Sequence, residues 1–322
     1  MKNSVTEKGV FLVTPDEAGA RLDRWFQKKY PDVTHSFIHK LLRRGKIKIN
    51  GKKAKANVRL EEGYSVEVFP FVNVEKPKTT GIKNENAKIS DKDIEKFKTS
   101  IIFMDDHVIV INKEPGLATQ GGTGIKNSVD AMLVFLKMGK EEKPKLVHRI
   151  DKDTSGILIL ARSTKVAQEL TAQFKNKEIE KTYLALVVGT PEIKKGKISL
   201  PISAKKKDGK LERAVIDEED GVSATTYYKV IDDAKVAAFL KLMPITGRMH
   251  QLRVHMSHIG HPIVGDGKYG AKAAFIEEVS DKMHLHAYRA EFRLFNKNYD
   301  VSAPLPPHIL ESLKFFALET PK

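Results

Sequence analysis

The sequence predicts an α+β protein in two parts: a small basic α+β unit, then a larger domain built on a mixed, largely antiparallel sheet flanked by helices. Three observations predict it. At 322 residues the chain is long for one compact domain and comfortable for two. Residues 71–98 are polar, with Pro, Asn and Lys and hardly any periodic apolar position, and read as a linker. Beyond them, long apolar or alternating segments lie beside few helical ones, without the strict alternation of a doubly wound fold. The expected domains are therefore 1–70 and 99–322.

In the first part, Leu22, Trp25, Phe26 and Tyr30 recur at helical spacing, so 20–30 reads as an amphipathic helix. Ser36 is expected to cap a second helix carrying Phe37, Ile38, Leu41 and Leu42, which stops at Gly45. A strand over 46–50 turns at Asn50-Gly51, and Glu62-Gly63 turns the chain into the alternating strand 64–68. In the second part, strands are expected at 100–104, 107–112, 157–162, 182–188, 224–230, 235–243, 249–256 and 287–295. Helices are expected at 128–138 behind Ser128 and at 164–175 behind Ser163. Alternation in the strand 249–256 puts Leu252, Val254 and Met256 on one face and Gln251, Arg253 and His255 on the other. No internal repeat is visible.

Composition narrows the function. No run approaches the roughly 18 apolar residues of a membrane span, and the first residues lack the apolar core of a secretory signal. With no cysteine, disulfides, zinc–thiolate sites and thiol catalysis are excluded. A cytoplasmic protein needing no cofactor is the simplest expectation. The net charge of +15 favours a polyanionic partner, nucleic acid before membrane. Residues 20–69 hold 13 Lys/Arg against 5 Asp/Glu, so more than half of the excess lies in under a sixth of the chain. Lys40, Arg43, Arg44, Lys46 and Lys48 fall on the solvent side of the second helix and its following strand, a patch suited to backbone phosphates.

The densest polar cluster is His148-Arg149-Ile150-Asp151-Lys152-Asp153-Thr154-Ser155-Gly156, followed at once by the apolar run Ile157-Leu158-Ile159-Leu160. A polar loop entering a buried strand sits at a sheet edge, where catalytic groups are commonly placed. Asp151 and Asp153 read either as paired carboxylates, as in glycoside or nucleoside hydrolysis, or as an Asx-type turn with solvated charges. His255, His258 and His261 have metal-ligand spacing, but only Asp266 lies near enough in sequence to complete a site, and contacts to RNA or backbone fit this glycine-rich loop better. Gly121-Gly122-Thr123-Gly124 could cradle a phosphate but lacks the P-loop ending and the dinucleotide fingerprint.

The run RLDRW…HKLLRRGKIKINGK resembles the S4 RNA-binding domain. HRIDKDTSG is similar to the HRLDxxTSG signature of the RluA-type pseudouridine synthase family, differing only at Ile150. Three further segments follow in that family's order: Asn112 to Leu117, Glu180 to Ala185, and Thr246 to His255 with its continuation HIGHPIVGDGKYG. With the S4-like start, the resemblance covers more than four-fifths of the chain. Domain order and Gln120-Gly121-Gly122 are most similar to the branch acting on large-subunit (23S) ribosomal RNA, although Gln120 stands where many relatives have His.

The resemblance implies the pseudouridine synthase fold, a ribosomal RNA partner, and a monomer that needs neither cofactor nor metal. It makes Asp151 the catalytic carboxylate, acting as nucleophile or as base. Tyr183 would stack on the base and assist at C5, and Arg253 would pair with Asp151 and hold it ionised. Leu285 would pack on the base, and Arg149 would fill the space left by the flipped uridine. His148, Arg248 and Lys113 are expected at the RNA, as is the basic patch of the first domain. A catalytically silent ribosome-associated RNA-binding protein is the alternative.

Overall fold

The computed structural model describes residues 4–5, 7–72, 89–121, 127–207 and 210–320. The chain divides into two compact units, Met1–Lys88 and Ile89–Lys322.

In the first unit β1 (Ser4–Val5) pairs with β6 (Phe71–Val72), and a second sheet has the order β2 (Gly9–Leu12), β5 (Ser65–Val68), β3 (Ile47–Ile49), β4 (Lys52–Lys53). Helices α1 (Leu22–Lys29) and α2 (His35–Arg43) pack on it. Leu22, Trp25 and Phe26 of α1 meet Phe37, Ile38 and Leu41 of α2 in one core with Val66 and Val68, so the 3.6-residue and two-residue periods both point inward. Thr34 caps α2, accepting from Phe37 N at 3.3 Å, where Ser36 was expected. The turn at Asn50 and Gly51 is left-handed at both residues (φ +47° and +75°), the conformation Asn-Gly favours.

The second unit opens with a correction. Residues 91–98, assigned to the linker for their polarity, belong to α3 (Asp91–Thr99), capped by Ser90 and anchored by buried Phe97. One buried apolar residue in nine suffices to dock a short surface helix, which is why composition hid it. The linker residues 73–88, and 122–126 within the glycine-rich segment, lie outside the described residues.

Next come β7 (Ile101–Met104), β8 (Val108–Lys113), α4 (Val129–Met132) and β9 (Lys145–Leu146), then β10 (Ser155–Ala161), α5 (Thr164–Asn176) and β11 (Glu180–Val188). They are followed by β12 (Lys195–Ser199), the hairpin β13 (Ile202–Lys207) and β14 (Lys210–Ile216), β15 (Thr225–Asp233) and β16 (Ala237–Pro244). Then come α6 (Gln251–His258), α7 (Gly267–Gly270), β17 (Leu285–Leu294), β18 (Lys297–Ser302) and α8 (Pro307–Phe315). The helix expected over 128–138 shrinks to α4 and a 3-10 turn over Leu133–Leu136.

The main sheet runs β12-β15-β16-β11-β17-β10-β8-β7, with β18 on β17 and β9 on β10. Its ladders are antiparallel except where β10 meets β17, at Ser155↔His286 and Gly156↔Ala287. The mixed, largely antiparallel α+β architecture is as expected. β10 is buried on both faces: Ile157 and Ile159 join Val110, Leu170 and Phe292, whereas Leu158 and Leu160 join Ile109, Ile111 and Leu133. Hence its uninterrupted apolar run.

The largest departure concerns 249–256. This segment is not a strand but the helix α6. All six residues from Gln251 to Met256 are buried, because the helix is enclosed on every side. Leu252 and Met256, four apart, face the core of β15 and β16, whereas Val254 packs on the opposite side with Ala214 and Tyr269. A helix without a solvent face shows no amphipathic period, so its apolar residues mimicked alternation. The left-handed glycine stop at Gly260 (φ +87°) was the helical signal in the sequence.

Candidate active site

Asp151 lies in the loop between β9 and β10, and Gly156 sets its height. At φ +104°, a Cβ on Gly156 would stand 2.2 Å from Ala287 O, so only glycine lets β10 run this close to β17. That approach puts the loop carrying Asp151 beside Leu285, the first residue of β17.

The loop is also pinned from below. Lys113, at the end of β8, is buried, and its ammonium donates to the carbonyls of Glu114 (2.8 Å), Leu117 (2.9 Å) and Lys152 (2.9 Å). Thr119 donates to Ile150 O at 2.8 Å. Burial pushes the Lys113 pKa down to about 7, against the pull of Asp153 and Asp151. Three carbonyls match the three N–H bonds of the ammonium, one more than a neutral amine can donate. Lys113 is therefore corrected from an RNA ligand to a brace under the Asp151 loop.

His148 needs a similar correction. Its Nε2 accepts the Ile159 N–H at 2.8 Å and its ring stacks on Phe174, centroids 4.3 Å apart. Burial, helped by the Lys181 cation, lowers its pKa to about 3. It is a neutral wall residue, not a cation offered to phosphate.

Arg253 reaches the site from α6. Its Nε and Nη2 donate to Asp266 Oδ2 and Oδ1, each at 2.7 Å, while Nη1 faces Asp151 Oδ2 at 3.4 Å. The tight partner is thus Asp266, buried at the N-cap of α7, and Asp151 takes the remaining edge of the guanidinium. Asp151 stays 28% exposed, open to a substrate.

Tyr183 on β11 stands just past a register shift: Thr182 pairs with Arg289 and Tyr183 with Ala287, so the extra residue, Tyr288, lies on the facing strand β17. Burial, then the Asp151 charge, raises its pKa, so the hydroxyl keeps its proton. Gln251 closes the turn before α6: its Oε1 accepts from Thr246 Oγ1 (2.7 Å) and Arg248 N (3.1 Å), and its Nε2 donates to Thr225 O (2.9 Å).

These groups line one cavity of about 460 Å³, within the range of small-molecule sites. Asp151, Tyr183, Arg253 and Leu285 are in its wall, and Arg149 and Arg248 are on it. Arg248 also donates to Ser223 O at 3.1 Å. Lys175, Lys177 and Lys181, which sequence reasoning missed, add cations to the rim. Lys40, Arg43, Arg44 and Lys46 belong to the first unit; Arg43, Arg44 and Lys46 are exposed there. Of the three histidines at metal-ligand spacing, His255 meets Thr226 Oγ1 (3.0 Å) and Leu200 O (3.2 Å), and His261 meets Val188 O (3.0 Å). His255 and His261 thus each meet a backbone carbonyl through a ring nitrogen, and His255 sits in α6 rather than in the glycine-rich loop.

A carboxylate at the mouth of a cavity, steadied by a guanidinium and flanked by an aromatic ring, an apolar side chain and several cations, suits chemistry on one base of a polyanion. The family model "RNA pseudouridylate synthase" matches residues 107–258, which hold Asp151, Tyr183 and Arg253. The "Ribosomal large subunit pseudouridine synthase C" of Rickettsia bellii is 38% identical over 294 residues, covering 90% of this chain and 95% of that protein. The Vibrio cholerae protein of the same name is 31% identical over 310 residues, 94% of each chain. Among solved structures, human "RNA Pseudouridylate Synthase Domain Containing 4" superposes with a TM-score of 0.60 at 28% identity, covering 71% of this chain and 97% of that one. This chain belongs to the RNA pseudouridylate synthase family.

Proposed function

We propose that this enzyme isomerises selected uridines of large-subunit ribosomal RNA to pseudouridine, with Asp151 as the reacting carboxylate. The observation that carries the reading is the placement of Asp151: partly exposed, 3.4 Å from Arg253 Nη1, in the cavity that Tyr183 and Leu285 also line. The substrate class is that of the relatives' names. The reaction breaks N1–C1′ and forms C5–C1′. The base loses its C5 proton and gains one at N1, so no electron acceptor is consumed. Asp151 acts on the ribose–base junction, as nucleophile or as base, and Arg253 holds it anionic. Tyr183 stacks on the flipped base and, keeping its proton, donates a hydrogen bond rather than serving as the C5 base. Leu285 packs on the base, Arg149 enters the vacated stack, and the rim lysines with Arg248 take neighbouring phosphates.

The first unit, an S4-like domain of residues 1–70 bearing Lys40, Arg43, Arg44 and Lys46, adds backbone affinity. The enzyme works as a cytoplasmic monomer without cofactor, which sedimentation and cell fractionation would test. Among the described residues no helix is long and apolar enough to cross a membrane. Single-turnover tritium release from 5-tritiated ribosomal RNA tests the reading. Asp151→Asn keeps the shape and removes the charge, so release should fall to background with RNA affinity retained. Wild-type release by that variant would end the proposal.

A further inference from the structure

The Asp151 carboxylate has a second neighbour that the mechanism has not used. His250 precedes α6 in the left-handed region (φ +52°), a conformation that non-glycine residues rarely adopt. Its Nε2 lies 3.9 Å from Asp151 Oδ2, and its Nδ1 lies 2.7 Å from the Tyr269 hydroxyl. That hydroxyl already accepts the Ala214 N–H at 2.9 Å. A phenol oxygen carries one proton, and among the described residues its only acceptor here is His250 Nδ1. Were Nδ1 protonated instead, the hydroxyl would accept twice and its own hydrogen would be buried unpaired. The ring nitrogen toward Tyr269 is therefore bare, and the imidazole hydrogen sits on Nε2, toward Asp151.

Tyr269 is well placed to impose this. It is buried, it meets His250 edge-on with centroids 5.6 Å apart, and the guanidinium of Arg253 lies 5.0 Å from its ring centroid. The charges that face His250 are Asp151, Arg253, Lys268 and Asp266; burial, joined by the Arg253 and Lys268 cations, outweighs the two carboxylates and lowers its pKa, so the neutral form persists near pH 7.

We propose that His250 is a positioning residue for Asp151: Tyr269 fixes it as the Nε2–H tautomer, and its N–H joins Arg253 Nη1 on Oδ2, leaving Oδ1 as the reacting oxygen. Both protein donors address Oδ2, and among the described residues no hydrogen bond reaches Oδ1. The 3.9 Å separation closes as uridine enters, as catalytic hydrogen bonds commonly tighten on substrate binding. This inference rests on Asp151 being the reacting carboxylate.

The test is single-turnover tritium release with saturating full-length enzyme, alongside filter-binding Kd for the same RNA. His250→Leu should slow release about 100-fold with Kd unchanged, the penalty of a misaimed reacting group. His250→Gln, whose amide N–H replaces Nε2–H without needing a tautomer, should stay within about fivefold of wild type. Tyr269→Phe should cost about tenfold in the wild-type background and nothing further in the His250→Gln background, because only an imidazole needs its hydrogen assigned. The inference is overturned if His250→Leu turns over at wild-type speed, if His250→Gln is as slow as His250→Leu, or if Tyr269→Phe costs the same in both backgrounds. Asp151→Asn in the same assay separates the two levels. If it turns over, the proposed function itself fails; if it is silent while His250→Leu is fast, only the role of His250 falls.

Discussion

Replacing Asp266 by Asn probes how Arg253 is held. The pair consists of two 2.7 Å hydrogen bonds between side chains that are 0% and 8% exposed. Asp266→Asn removes the anion, keeps the volume, and turns an amide N–H toward a guanidinium that can only donate. An exposed ion pair would lose about 0–1 kcal/mol, whereas breaking a buried one costs about 3–5 kcal/mol because the surviving charge stays desolvated. Burial decides for the larger figure. Asp151, already 3.4 Å from Nη1, recovers part of it by closing on the guanidinium. The net expectation is about 3 kcal/mol, or a melting temperature lower by about 6 °C for a unit of this size. Activity should fall as well, at least tenfold, because an Asp151 drawn to Arg253 is no longer aimed at the ribose. Scanning calorimetry and single-turnover tritium release on the same preparation measure both. A melting temperature within about 2 °C of wild type would show that Asp266 is not the counter-ion on which Arg253 depends.

Three other outcomes are expected. Gly156→Ala would press a Cβ to 2.2 Å from Ala287 O, backbone that cannot swing aside, at φ +104°, and should cost at least about 3 kcal/mol; an unchanged urea midpoint would refute the close approach. His284 and His286 are buried, with pKa values lowered by burial from 6.5 to about 4, so the unfolded chain binds protons that the native chain refuses. Stability should be full above pH 6.5 and fall between pH 6.5 and 4 by about 1.4 kcal/mol per pH unit for each histidine; urea midpoints that stay level from pH 7.5 to 5 would contradict this. Replacing Arg43, Arg44 and Lys46 by Ala should reduce the salt slope of RNA binding by about 2 with release at saturation unchanged, and an unaltered slope would place that patch away from RNA.

The sequence made much of the site legible because the groups concerned are consecutive. The loop 148–156 runs straight into β10, whose apolar residues are continuous because both faces are buried. Tyr183 could be assigned, but not the register shift of β17 against its strand. Lys113 and His148 were assigned to RNA by their chemical type, and burial reversed both: three carbonyls hold the ammonium, and a strand N–H holds the imidazole. The strand expected over 249–256 failed for a related reason, since α6 has no solvent face to create a helical period.

By itself, then, the sequence determined the α+β class, the basic first unit, seven of the eight strands expected in the second unit and the identity of the acidic loop, all of which are written in neighbouring residues. The tertiary structure alone decided which side chains hold the neighbours of Asp151. Asp266 grips Arg253 across 13 positions of chain, and Tyr269 meets both Ala214 and His250. Such partners are chosen by how α6, α7 and the hairpin β13–β14 pack around a buried charge, and desolvation makes each choice matter while leaving no local period from which to read it.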